Sequence, residues 1–139
     1  MIDLNESFYD CAFTDECTIQ IDCTTRFCFI QEGDQFARLR NRAKHPCKVH
    51  VWGGISARGA TQLVIISGST RINSGYYRGI LKRAYLPFLT AKYRGCARLV
   101  QDNASAHTSG FTKTKLKEWA VDVLQWPAES PDLNPIELV

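Results

Sequence analysis

Apolar and polar residues alternate along "DCAFTDECTIQID" (10–22), the period of a strand with two unlike faces. "RFCFI" (26–30) predicts a second, short strand. "KVHVWGGIS" (48–56) and "TQLVIIS" (61–67) are apolar runs joined by "ARGA", the pattern of a hairpin. From Asn73 to Tyr93 the period changes: Tyr76, Tyr77, Ile80, Leu81, Ala84, Tyr85, Phe88 and Leu89 recur at helical spacing. Pro87 falls inside that run, so the helix is expected to end or kink near Leu86. "ARLVQD" (97–102) predicts a short buried strand. "SGFTKTKLKEWA" (109–120) predicts an amphipathic helix, with Phe111, Leu116 and Trp119 inward and Lys113, Lys115 and Lys117 largely outward. "VDVLQW" (121–126) is one more strand, and a helix opens at "NPIE". Antiparallel strands followed by alternating helix and strand predict an α/β fold, a mixed sheet with helices packed on it.

A chain of 139 residues suggests one domain with room for a core. The 45% hydrophobic and 22% charged residues place it in the ordinary globular range. The N-terminal "MIDLNESFYD" has acids and no apolar core of the signal-peptide kind. No stretch approaches the roughly 18 apolar residues of a membrane-spanning helix. The six cysteines include no C-x-x-C pair, so reduced, mostly buried thiols are expected. "HPCKVH" lacks the second ligand pair that structural zinc needs.

Net charge is only +3, but its distribution is uneven. "RLRNRAKHPCK" carries Arg38, Arg40, Arg42, Lys44 and Lys48 with no acid among them. Four of the five stand at every second position, so an extended segment would present them on one side. Such a row suits a phosphate backbone, or is a solvated loop.

Three acids stand out by placement. Asp15 lies within the first strand, where Glu16 beside it competes for any role. Asp102 ends the strand "ARLVQD", where ligands gather in open sheets, although Asp102–Asn103 could also make a simple Asx turn. Glu137 lies in the first turn of the last helix; Asn134 as N-cap and Pro135 after it equally suit a capping box. If the strands of Asp15 and Asp102 pair, two carboxylates become neighbours that a divalent cation would reconcile.

Five blocks, "FTDECTIQ", "KHPCKVHVWGGISARGATQLVI", "YLPFL", "QDNASAHTS" and "WPAESPDLNPIE", occur in order. Together they resemble the catalytic domain of Tc/mariner-type DNA transposases, over nearly the whole chain. The resemblance implies a ribonuclease H-like fold and three acids, Asp15, Asp102 and Glu137, that are both catalytic and ligands to two Mg²⁺ or Mn²⁺ ions. The 34 residues between Asp102 and Glu137 (103 through 136) are the gap typical of the Tc branch. It further implies phosphodiester hydrolysis at transposon ends, strand transfer into target DNA and a nuclear location. Double-stranded DNA would be the partner, contacted by the basic row, and homo-oligomerisation is an option for the full-length form. His107 is placed near the site, to contact phosphate or water, or to cap a helix. Trp52, Gly53 and Gly54 read as packing and close backbone approach. Members of the family carry an N-terminal helix-turn-helix region and a last helix that runs on past the glutamate, so residues 1–139 read as the DDE catalytic domain without those parts. Two descriptions stay open: a transposase domain complete in its acids, or an inactive transposon remnant that at most binds DNA.

Overall fold

The alternating stretch forms β1 (Cys11–Ile21), and long-range pairing puts it at the centre of a sheet. The computed structural model describes residues 7–21, 47–125 and 134–138 of the chain. β2 (Cys47–Ser56) runs antiparallel beside β1, from Ala12↔Ser56 to Ile21↔Cys47. The other edge of β2 is shared: β3 (Gly59–Ala60) takes its end and β4 (Val64–Ser67) its middle. Thr61 joins the two, its hydroxyl accepting the Gly54 N–H and its own N–H donating to the Gly54 carbonyl, both at 2.8 Å. On the far side of β1, β5 (Arg98–Val100) pairs in parallel, and β6 (Asp122–Val123) pairs in parallel with β5. Among the described residues the order is β3-β2-β1-β5-β6, with β4 also on β2, the mixed sheet that the element order predicts. "RFCFI" and the basic residues Arg38, Arg40, Arg42 and Lys44 lie outside the described residues; Lys48 is exposed near the start of β2.

The helical run is continuous but not uniform. Asn73 caps α1 (Ser74–Ile80), its side chain accepting the Tyr76 N–H at 2.9 Å. A π-helical turn spans Leu81–Tyr85, and α2 (Leu86–Tyr93) follows with Pro87 in its first turn. The Leu86 N–H reaches back five residues to the Leu81 carbonyl, and this wider turn makes room for the proline ring. Pro87 therefore bends the winding without ending the helix. Arg94 and Gly95 close α2 with positive φ of 52° and 88°. Two further helices, α3 (Ser105–Thr108) and α4 (Gly110–Glu118), follow β5.

One face of the sheet carries the larger core. Ala12, Trp52, Val64, Ile66 and Leu99 pack there against Tyr77, Ile80, Leu81, Tyr85 and Leu89 of the helical run. The opposite face holds a smaller cluster of Cys11, Phe13 and Val100, with Phe8, Ile55 and Leu124 against it. A 3-10 turn, Pro135–Leu138, packs against β1 and β2, and its Pro135 lines a groove with Phe8, Phe13 and Ile55. That contact puts the turn on this second face. Close packing explains the two glycines of β2: a Cβ at Gly54 would lie 2.9 Å from Thr14 Cγ2, and one at Gly53 2.8 Å from Leu63 Cδ2.

Three expectations need correction. Phe111 is not inward: the buried stripe of α4 is Thr112 and Leu116, which leaves Phe111 53% exposed beneath the Arg78 guanidinium, 3.6 Å from its ring centroid. Tyr76 likewise stands off the buried stripe of α1. Of the described cysteines only Cys11 is buried; Cys17, Cys47 and Cys96 are exposed free thiols. Cys17 and Cys47 sit where β1 and β2 run on past the core, and Cys96 in the turn before β5.

Candidate metal centre

Strand register sets the positions of the first two acids. β1 and β5 are in step up to Phe13↔Val100, so two residues further on Asp15 and Asp102 stand at one level, beyond the carboxyl end of β5. Phe13 and Val100 share the second face, and alternation along β1 puts Asp15 on it too; Asp102, past the last paired residue of β5, meets His107 of the helix-covered side. Opposite Asp15 on β2 is Gly53, which adds no side chain there. Glu137, in the 3-10 turn on the same face, is exposed. The expected helix at "NPIE" is thus a short 3-10 turn in which the Glu137 N–H donates to the Asn134 carbonyl at 3.1 Å.

The neighbouring acids act on Asp15 through their charge. Burial raises its carboxyl pKa to about 6; the Glu16 N–H at 2.8 Å opposes the rise, while the negative charges of Glu137, Glu16 and Asp102 add to it. Each of the two aspartates is held by one oxygen. Asp15 Oδ1 accepts the Glu16 N–H, and Asp102 Oδ1 accepts the Ala104 N–H at 2.9 Å and meets His107. Neither Oδ2 has a partner among the described residues.

Glu16 takes the other direction. Its strand position turns it to the helix-covered face, where Oε1 meets His107 Nε2 at 3.0 Å. His107 is 3% exposed, and its Nδ1 lies 2.5 Å from Asp102 Oδ1, an ion pair without an aligned hydrogen bond. The ring packs against Tyr77 at 4.0 Å between centroids, and the Tyr77 hydroxyl donates to Gln101 Oε1 at 2.6 Å. The His107 ring beside it holds the Asp102 carboxyl below the usual range, against the opposing effect of burial. Burial disfavours charge on His107, but Asp102 and Glu16 together outweigh it and raise its pKa to about 9.

Among the described residues, Glu16, Asp102 and His107 offer ligand atoms that all lie within 4.8 Å of one another. This grouping shares only Asp102 with the triad read from the sequence. Strand alternation could have separated Asp15 from Glu16 in advance. Nothing in the sequence singled out Gln101, or Tyr77 beyond its place in an apolar helical stripe. A cleft of about 520 Å³ opens beside Asp102, with Asn103, Lys113, Lys117 and Gln125 among its walls.

A pH dependence follows for the metal-free chain. His107 binds its proton more tightly folded, near pH 9, than at the unfolded value of 6.5. Its stabilisation is therefore complete below pH 6.5 and is lost as pH rises through about 9. At about 1.4 kcal/mol per unit, the loss is on the order of 3 kcal/mol. Asp15, also raised, loses its own contribution lower down, between 3.8 and about 6. Urea midpoints measured in chelator should fall between pH 6.5 and about 9. Removing the ring nitrogens by His107→Phe should flatten that fall.

Residues 10–139 match the model of a family described as DDE superfamily endonuclease. The transposable element Tc3 transposase of Caenorhabditis elegans is 36% identical over 89 residues, covering 64% of this chain and 26% of that protein. The Tcb1 transposase of Caenorhabditis briggsae is 36% identical over 89 residues, 64% of this chain and 32% of its own length. The chain thus spans between a quarter and a third of these relatives. In structure it is similar to the Mos1 transposase in a paired-end complex with the left transposon end (TM-score 0.75, 20% identity, 94% of this chain and 39% of that one). It is also similar to the Mos1 transposase catalytic domain solved with Raltegravir and Mg (TM-score 0.68, 20% identity, 94% of this chain and 57% of that one). The fold is the ribonuclease H-like one that the resemblance implied.

Proposed function

Since the chain belongs to the DDE superfamily endonuclease family, we propose that it is the catalytic domain of a Tc/mariner-type transposase, cutting phosphodiesters at transposon ends and joining the freed 3′ end to target DNA with two bound divalent cations. The observation that carries this reading is the pairing of Asp15 and Asp102. The parallel register brings the end of β5 beside Asp15, each aspartate has Oδ1 held and Oδ2 open, and Asp15 bears the negative fields of Glu137 and Asp102.

This donor set suits Mg²⁺ or Mn²⁺. Hard carboxylate oxygens from few residues leave positions for water and phosphate oxygens, as Mg²⁺ prefers. Asp15 and Asp102 would hold the cations through their open oxygens, and Glu137 would supply the third carboxylate. Bound there, the cations supply charge neutralisation and lower the pKa of an attacking water or hydroxyl. In hydrolysis a water oxygen bonds to phosphorus, the ester bond to the departing strand breaks, and that strand's oxygen takes up a proton. In strand transfer a 3′-hydroxyl takes the place of water; one ester forms as one breaks, so no energy-rich cofactor is needed. The protein's part is positioning: β1 fixes Asp15, the end of β5 brings Asp102 beside it, and their open oxygens are left for cations and a phosphate. Lys113 and Lys117, one turn apart at the cleft beside Asp102, and the exposed Lys48 suit backbone phosphates. Arg38, Arg40, Arg42 and Lys44 are assigned to DNA contact from their pattern alone. Acting on chromosomal DNA, the protein would work in the nucleus.

Loading the chain with Fe²⁺ and mapping backbone cuts made by locally generated radicals tests the centre without DNA. Cuts at Asp15, Asp102 and Glu137 that excess Mg²⁺ suppresses are the expected result. Cuts that spare Asp15 and Asp102, or that Mg²⁺ leaves unchanged, would sink the reading.

A further inference from the structure

We propose that His107 is a positioning residue for Asp102, fixed in turn by Glu16, so that the second acid of the Asp15–Glu16 pair serves the site from behind and not as a cation ligand. The inference rests on the reading of Asp102 as a cation ligand given above.

Asp102 needs such help. Its side chain is 58% exposed, and it lies past the last paired residue of β5, where the ladder no longer fixes it. A free carboxylate there would sample several rotamers, and each ordered cation would have to freeze it first. Two contacts remove that freedom, the Ala104 N–H at 2.9 Å and the ion pair with His107 Nδ1 at 2.5 Å, both on Oδ1. Oδ2 is thereby aimed and left open.

A positioning group must itself be fixed, and His107 is. The ring is 97% buried by its 3% exposure, lies against Tyr77 at 4.0 Å, and meets Glu16 Oε1 through Nε2 at 3.0 Å. With Nε2 anchored and the ring plane packed, Nδ1 has one place to be. Tyr77 closes the loop, because its hydroxyl bonds Gln101, the residue before Asp102, at 2.6 Å. Two successive residues just past β5 are thus tied to α1 and to β1 by polar contacts around the buried His107. Buried polar contacts of this kind rigidify what they touch.

The network also gives a reason for two acids in succession. Neighbours on a strand face opposite ways, so Asp15 and Glu16 cannot both reach a cation on one face. One faces the proposed cations, and the other faces His107.

The competing view is that Glu16, Asp102 and His107, whose ligand atoms lie within 4.8 Å of one another, bind a cation directly. Mn²⁺ affinity of the metal-free protein, measured by calorimetry or by the electron-spin signal of free Mn²⁺, separates the two. Glu16→Ala should weaken Mn²⁺ binding about 10- to 100-fold, the usual loss when a partner of a ligand is removed. Glu16→Gln keeps an acceptor for the ring N–H and, with the Asp102 charge still favouring protonated His107, should bind within about threefold of the parent. A direct ligand would be lost in both variants, and a bystander in neither; either result overturns the proposal. His107→Phe keeps a ring against Tyr77 and should weaken binding like Glu16→Ala; parental affinity there would reduce His107 to packing. Asp102→Asn is the separate control. If it binds Mn²⁺ as the parent does, the cation reading itself fails, whatever the Glu16 variants show.

Discussion

Asp102→Asn should abolish Mn²⁺-dependent nicking of supercoiled plasmid, a loss of about a thousandfold or more, while DNA binding changes little. Asparagine keeps the shape, and its carbonyl oxygen can still accept the Ala104 N–H now made to Oδ1 at 2.9 Å. What it removes is the charge that would hold a cation beside Asp15. A thousandfold is about 4 kcal/mol of transition-state stabilisation, in the range ascribed to a metal acting as Lewis acid. Conversion of supercoiled to open-circular plasmid on a gel measures the rate. Anisotropy of labelled duplex reports binding, which phosphate contacts elsewhere should maintain. Nicking at the parental rate in the variant would exclude this centre as the source of activity.

The largest effect on stability should come from Trp52→Ala, about 3 to 5 kcal/mol. Trp52 is wholly buried, in the middle of β2, where Glu16 of β1 and Val64 of β4 stand beside it. It packs in the same core as Leu99 and the helical run. A chain of 139 residues has stability on the order of 7 to 20 kcal/mol, so the variant should fold but with a strongly lowered urea midpoint, followed by circular dichroism. Trp52→Phe should cost less than half as much. The indole N–H has no acceptor among the described residues, and removing it relieves an unpaired donor while most of the ring contact stays. Equal losses in the two variants would mean that the indole N–H matters to the core after all.

The elements were largely legible because their causes are local. Alternation gave β1, the 3.6-residue period gave the helical run, and the position of Asp102 at a strand end followed from where "ARLV" stops being apolar. The proximity of Asp15 and Asp102 was not local: it depends on the register Phe13↔Val100, which no window of sequence contains. The same limit hid the network behind the site. Tyr77 belongs to an apolar stripe, and only its position in the fold turns its hydroxyl toward Gln101. Phe111 defeats the expectation from pattern because an aromatic on an amphipathic helix need not mark its inward face; Thr112 and Leu116 at i, i+4 define that face. Glu16 was an ambiguity that alternation alone resolves once Asp15 is assigned its face.

The π-helical turn Leu81–Tyr85 has a consequence for how length can vary in this fold. It holds one residue more than an α-helical path would need between the same two anchoring stretches, Tyr77–Ile80 before it and Phe88–Leu89 after it. Each residue added to an α-helix turns everything beyond it by about 100°, yet here both stretches meet one core. The turn therefore acts as a phase corrector. A relative one residue shorter between Leu81 and Tyr85 can wind as plain α-helix and keep both stretches buried, while a deletion inside α1 or α2 would swing Phe88 or Tyr77 toward water. Gaps in alignments of this helix belong at that turn.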